Sequence, residues 1–261
     1  MKTQITMKSI ITVCLAACFT VNAWAQDGTE IMRRVKDRPD GETRTVEVEL
    51  KLINKRGDER VRKLKSYSKD YGADKKTIMF FTHPGDVKGT GFLTWDYDDP
   101  KKEDDKWLYL PAMKKVRRIS SSSAKTDYFM GTDFTYDDMG SRNVEEDTHK
   151  FLREETYEGN KCWVIESVPV AKGELYTRKV LWVRQDCLMP IRVEFYDKLN
   201  KLHRLLTVQS IVKVGQFWSY EKETMENVQT HHKTVISFSN HSYDAPMADD
   251  LFTVGKLERG L

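Results

Sequence analysis

The chain has 261 residues, 39% of them hydrophobic and 32% charged, and its mean hydropathy is −0.62. That hydropathy excludes a polytopic helical membrane protein, and 11% aromatic content with modest Gly and Pro excludes global disorder. The formal net charge of +3 leans on Lys2 and Lys8 near the start, so the remainder is nearly balanced and nucleic acid is not expected as a partner.

Residues 1–25 read as a bacterial export signal. Lys2 and Lys8 give a positive start, an apolar stretch runs from Ile10 to Val21, and Ala23-Trp24-Ala25 ends on small residues suited to cleavage. The mature protein is then periplasmic. A rival lies inside the stretch: Leu15-Ala16-Ala17-Cys18 has the look of a lipobox, which would leave the protein lipid-anchored at Cys18. Phe19-Thr20-Val21 continues the apolar run past that cysteine and argues against it. An uncleaved anchor is the third reading.

Residues 26–261 read as one domain, because no linker or internal repeat divides them. A helix is expected over 27–37, where Ile31 and Val35 stand at i and i+4, Glu30 comes early and Arg33, Arg34 and Lys36 come late. Pro39 and Gly41 end it. Val46, Val48, Leu50 and Leu52 then alternate with charged residues, the period-two mark of a half-buried strand. Strand-like segments follow at 60–68, 76–82, 89–96, 106–110 and 115–120. After residue 150 they resume at 151–157, 161–168, 176–184, 191–195, 202–214, 217–226 and 233–239, the last carrying Ile236 and Phe238. Short turns such as Asn54-Lys55-Arg56-Gly57 and Glu158-Gly159-Asn160 separate them, so an antiparallel meander is expected. A second short helix is expected at 133–140 and a helical turn within 246–252.

Catalytic and metal signatures are missing. None of the six histidines has ligand spacing, and His231 and His232, being adjacent, would face opposite sides of a strand. The acids from Asp96 to Asp105 lack the Gly and terminal Glu of an EF-hand loop and read as a solvated hairpin between Trp95 and Trp107. The serines 120–123 sit in no GxSxG elbow, and there is no GxGxxG or P-loop. No catalysis and no cofactor are therefore expected. Cys162 and Cys187 can pair in an oxidising compartment, and the alternative is two buried, inert thiols. Lys114, Lys115, Arg117 and Arg118 form the one dense basic patch, suited to an edge strand or to a face meeting acidic headgroups or a partner.

The stretch from Trp107 to Met139 carries a resemblance. Leu110-Pro111-Ala112, the basic run and Phe129-Met130-Gly131-Thr132-Asp133-Phe134 resemble the signature of the outer-membrane lipoprotein-sorting protein family, the LolA-like periplasmic carriers. Cys162-Trp163-Val164-Ile165-Glu166, Met189-Pro190 and Asp249-Asp250-Leu251-Phe252-Thr253 extend the likeness. It implies a mainly β fold, a strongly curved antiparallel sheet forming an incomplete barrel with a few short helices over its open side. It also implies an apolar cavity for acyl chains of lipoproteins or lipids, with an inner-membrane RND-type transporter and an outer-membrane acceptor as partners. The lid arginine of the founding carriers has no match in the sequence. On this reading Val46, Val48, Leu50, Leu52, Ile191, Val193, Phe195, Ile236 and Phe238 are candidates to line the cavity. Phe129, Met130 and Gly131 are candidates for a mobile element at its mouth, and Met79, Met113, Met130 and Met139 suit an adaptable lining. The plain alternative is that all of these residues are core.

Three rival functions stay open from sequence. A transporter-associated adaptor would bind protein partners, carry no lipid and have a solid interior. An outer-membrane barrel would need cleanly alternating lipid-facing strands, which Arg60-Val61-Arg62-Lys63 interrupts. A lipid hydrolase would need catalytic groups converging in the cavity.

Overall fold

A computed structural model describes residues 27–260, so the expected export signal and Cys18 lie outside the described residues. Every segment whose alternation predicts a strand is one. The first six strands are β1 (Thr43–Ile53), β2 (Glu59–Tyr71), β3 (Asp74–His83), β4 (Gly91–Asp96), β5 (Asp105–Leu110) and β6 (Lys115–Ile119). The other seven are β7 (Asp147–Tyr157), β8 (Asn160–Pro169), β9 (Arg178–Arg184), β10 (Pro190–Tyr196), β11 (Leu202–Val214), β12 (Phe217–Asn227) and β13 (His232–Tyr243). They form a single antiparallel sheet in the order β6-β5-β4-β3-β2-β1-β13-β12-β11-β10-β9-β8-β7. Two meanders are thus welded where the first strand meets the last, with Leu50 opposite Ile236 and Val48 opposite Phe238. β6 and β7 stay unpaired edges, so the sheet is not closed into a barrel and the outer-membrane barrel is not formed.

Local chemistry explains the elements. The β7–β8 hairpin turns on Glu158 (φ 48°) and Gly159 (φ 78°), the left-handed pair that matches strand twist. Helix α1 (Gly28–Lys36) starts at Asp27, whose carboxylate accepts from Thr29 N at 2.9 Å. Ile31 and Val35 face inward, and Gly28 lies so close to β7 that a Cβ would sit 2.7 Å from Phe151 N. Only glycine fits there.

One helical expectation changes, and the helical turn expected within 246–252 forms as a 3₁₀ turn at Asp249–Phe252. No helix spans 133–140; a 3₁₀ turn at Asp137–Met139 is all that forms. Thr135 N donates to Asp138 Oδ2 at 2.7 Å and Asp138 N to Thr135 Oγ1 at 3.1 Å, a reciprocal cap that starts a turn only after Thr135, and the extended backbone of Gly140 ends it at once. The serines instead start helix α2 (Ser121–Thr126), with Ser120 Oγ accepting from Ser123 N at 3.2 Å. At the end of the chain a 3₁₀ turn (Asp249–Phe252) leads into helix α3 (Val254–Arg259), whose Leu257 packs with Phe252, Ile78, Phe80 and Leu93 on the outer face of β3 and β4. Among the described residues no helix is long and apolar enough to cross a membrane.

The sheet is rolled into an open trough. Lys36 at the end of α1 is bonded to Asp98 in the β4–β5 loop and donates to Asn143 Oδ1 at 2.8 Å. Arg142 grips Asp147 at the start of β7, and Asp137 sits between Arg142 (3.7 Å) and Lys106 of β5 (3.2 Å). The two ends of the sheet therefore approach each other across the residues that connect β6 to β7.

Candidate functional site

The trough floor is apolar because the inward phase of most strands is apolar. Val46, Val48, Leu50, Leu52, Val193, Phe195 and Ile236 all belong to one buried cluster, with Phe238 packed against it. Ile191 does not. A register shift between Pro190 and Arg192 turns it to the other face, where it packs with Cys162, Val164 and Trp182. The floor also uses Leu64, Phe81, Phe92, Leu181, Ile165 and Met225, which were not singled out above. Leu64 and Met225 stand in phase with polar residues (Arg62 and Ser66, Glu221 and Glu223), so alternation does not mark them. Phe81 ends the apolar run Ile78-Met79-Phe80-Phe81, where periodicity cannot assign a face.

The trough is not empty. Residues 120–146 fold into it as a plug, and Phe129 is fully buried at its centre. Its ring centroid lies 5.9 Å from that of Phe81, 5.2 Å from Phe92 and 5.5 Å from Tyr136. Phe134 and Ala124 are buried beside it, with Met130, Tyr136 and Met139 packed around. Phe129 is thus at the heart of the trough and not at a mouth. Met130 (φ 49°) and Gly131 (φ 76°) make the left-handed turn that brings the chain back to the surface. Of the methionines, Met79 is floor, and Met113 is 56% exposed and lines nothing.

Polar clasps fix the plug to the floor. Arg204 of β11 is 1% exposed; its Nη1 donates to Asp133 O at 3.0 Å and to Asp138 Oδ2 at 2.5 Å. Burial pushes the Asp138 carboxyl up, but the charge and hydrogen bond of Arg204 outweigh it and hold the group below its usual value. Asp133 Oδ2 accepts from Thr234 Oγ1 at 2.8 Å and lies 2.7 Å from His232 Nδ1. On the opposite wall, Arg62 of β2 donates to the carbonyl of Met130. No sequence signal marks Arg62 or Arg204 as clasps, because their acceptors lie in a remote segment.

With the plug seated, the free space lies elsewhere. A cavity of about 1130 Å³ opens beyond the end of α1, and its wall is charged: Lys36, Asp40, Asp70, Asp96, Arg142 and Lys179. Burial, reinforced by Asp104 and opposed by Lys106, pushes the Asp96 carboxyl up to about 7. The basic patch lies on edge strand β6 and the residue before it, with Lys114, Lys115 and Arg117 exposed and Arg118 bonded to Asp105. Cys162 and Cys187 are buried free thiols, and burial pushes Cys162 up to about 11. Among the described residues no group of acidic, His or Cys side chains has the arrangement of a metal site.

A family model described as "Uncharacterized protein" matches residues 73–259. A DUF1329 family protein from Desulfovibrio piger superposes with a TM-score of 0.83 at 32% identity, covering 88% of this chain and 97% of that one. The chain belongs to the DUF1329 family. A second structure, a Vibrio parahaemolyticus domain named for outer membrane lipoprotein sorting, gives a TM-score of 0.83 at 31% identity over 89% of this chain and 98% of that one. The fold is LolA-like: a LolA superfamily protein from Nitrosomonas europaea superposes with a TM-score of 0.69 at 18% identity, over 88% of this chain and 99% of that one. No curated protein matches the sequence.

Proposed function

We propose that this DUF1329 protein is a periplasmic carrier that takes acyl chains of lipids or lipoproteins into its trough in place of the plug. The observation that carries the reading is an apolar trough filled by a segment of short turns rather than by strands or long helices. Burial of an acyl chain yields about 0.8 kcal/mol per methylene, so roughly ten methylenes outweigh the exposure of two aromatic rings at about 1.5–3 kcal/mol each. Export by a signal cleaved after Ala25, with residues 26–261 as one carrier domain, belongs to this reading; anchoring at Cys18 is the alternative. An RND-type transporter as donor and an outer-membrane acceptor complete it, with Lys114, Lys115, Arg117 and Arg118 as the contact edge. Catalysis has no part in it.

Native mass spectrometry of the protein isolated from the periplasm is expected to show bound lipid. Absence of lipid, together with no binding of an acylated fluorescent probe, would refute the carrier. The filled trough favours a second reading on its own: an adaptor that docks a membrane pump and carries nothing. For the adaptor both experiments come out empty while the transporter is still bound.

A further inference from the structure

Beside the plug, at the opening where Met130 and Gly131 return to the surface, lies a second cavity of about 300 Å³. β2 presents Arg60 and Arg62 to it from alternate positions, opposite Leu52 and Leu50 of β1 and therefore on the trough face. His232 borders the cavity from β13 and Gly131 from the plug. A Cβ built on Gly131 would meet nothing within 4 Å, so the space beside it is open.

The charge there is unevenly matched. Two acids line the cavity and both are engaged: Asp58 with Arg56 at 2.9 Å, and Glu59 with Lys51 at 3.0 Å. Asp133 is taken up by His232 and Thr234. Arg60 has no hydrogen bond or ion pair among the described residues, and its charge depresses the neighbouring Arg62, which burial lowers more strongly and Asp86 supports. Arg62 donates to a neutral acceptor, the Met130 carbonyl. Two guanidiniums therefore line one face of the cavity, neither with a carboxylate bonded to it, and each is a donor fork suited to an anion.

We infer that this cavity binds the phosphate group of an anionic lipid headgroup through Arg60 and Arg62 while the acyl chains enter the adjoining trough. The inference deepens the carrier reading and rests on it for the acyl part. A volume of about 300 Å³ admits a phosphate headgroup and excludes the chains. Phosphate is a stronger acceptor than a peptide carbonyl, so it draws Arg62 from Met130 and loosens the plug at the point where chains enter. Headgroup binding and trough opening are then one event.

The test titrates the purified protein and its Arg60→Gln variant calorimetrically with dihexanoyl phosphatidate, dihexanoylglycerol and inorganic phosphate. Arg60 is exposed and unpaired, so the variant keeps the wild-type melting temperature. Phosphatidate is expected to bind the wild type and to lose at least about ten-fold in affinity in Arg60→Gln. Dihexanoylglycerol is expected to bind both proteins alike, and inorganic phosphate to compete with phosphatidate only weakly. Equal phosphatidate affinity in the two proteins overturns the headgroup site, and dihexanoylglycerol binding then leaves the carrier reading intact. Phosphate binding as tightly as phosphatidate overturns the lipid assignment in favour of a free-phosphate site. If neither acylated probe binds either protein, the carrier reading fails and the inference falls with it.

Discussion

The sheet and the plug share one core but are held in it by different means. Strands β1–β13 are joined by continuous ladders, whereas residues 120–146 contain one six-residue helix, three 3₁₀ turns and a single isolated bridge between Tyr128 and Thr135. In the sheet, a side chain leaves the core only if a ladder breaks. In the plug, Phe129 is held by ring contacts and by side-chain clasps from Arg62, Arg204 and Thr234, each of which can be exchanged singly. On the carrier reading the difference separates a permanent wall from a removable filling, since segments held without ladders are the ones that open below the cost of global unfolding.

The largest effect expected is on equal ring deletions in the two regions. Phe92→Ala in β4 should lower unfolding stability by about 3–5 kcal/mol, read by urea denaturation. Phe129→Ala removes an equally buried ring, but its cost is capped at the docking energy of the plug. It should lose less than half as much and bind an acylated probe more tightly. Equal losses, with no gain in probe binding, would make the plug ordinary core.

A second contrast is in pH. Glu223 on β12 is buried, and burial, opposed by Arg44, pushes it up to about 7. A raised carboxyl favours folding while it is protonated: its contribution is full below the ordinary value of 4.5 and is lost as pH rises through about 7. Glu223→Gln should therefore stabilise the sheet by about 2–3 kcal/mol at pH 8 and change little at pH 4. Asp138 in the plug runs the other way. Its value is lowered, so its contribution holds above the usual carboxylate range and is lost as pH falls through its own depressed value. Alkali should loosen the sheet and acid the plug, which thermal melts and probe binding across pH would separate.

The smallest effect is at the single clasp. Arg62→Ala removes one charged donor at a half-exposed site, which should cost about 1 kcal/mol locally and speed exchange of the Phe129 and Thr132 amides about five-fold. Amides of β8 and β9 should not respond.

The same contrast governs what the sequence could disclose. Alternation at Val46–Val48–Leu50 or Val193–Phe195 is local, so strands and their inward residues were legible, and the turns fixed their antiparallel sense. Ile191 was misplaced because a bulge reverses phase without changing residue type. The weld of β1 to β13 was hidden, since nothing near Leu50 announces Ile236 as its partner. The plug was hidden: the family resemblance marked Phe129, Met130 and Gly131 but as a mouth, and not as a filling of the trough. Phe129 and Phe134 follow no period, and their hold on the trough depends on Arg62, Arg204 and Thr234 from distant strands. Burial of Glu223 was likewise hidden, because Ser219 and the exposed Glu221 share its phase with Phe217 and Met225.

Hydrogen exchange followed segment by segment, with and without a saturating acylated probe, tests displacement of the plug most directly. The account predicts that amides of residues 129–140 lose protection when the probe binds, while those of β8 and β9 keep theirs. A bound probe that leaves residues 129–140 fully protected would contradict it.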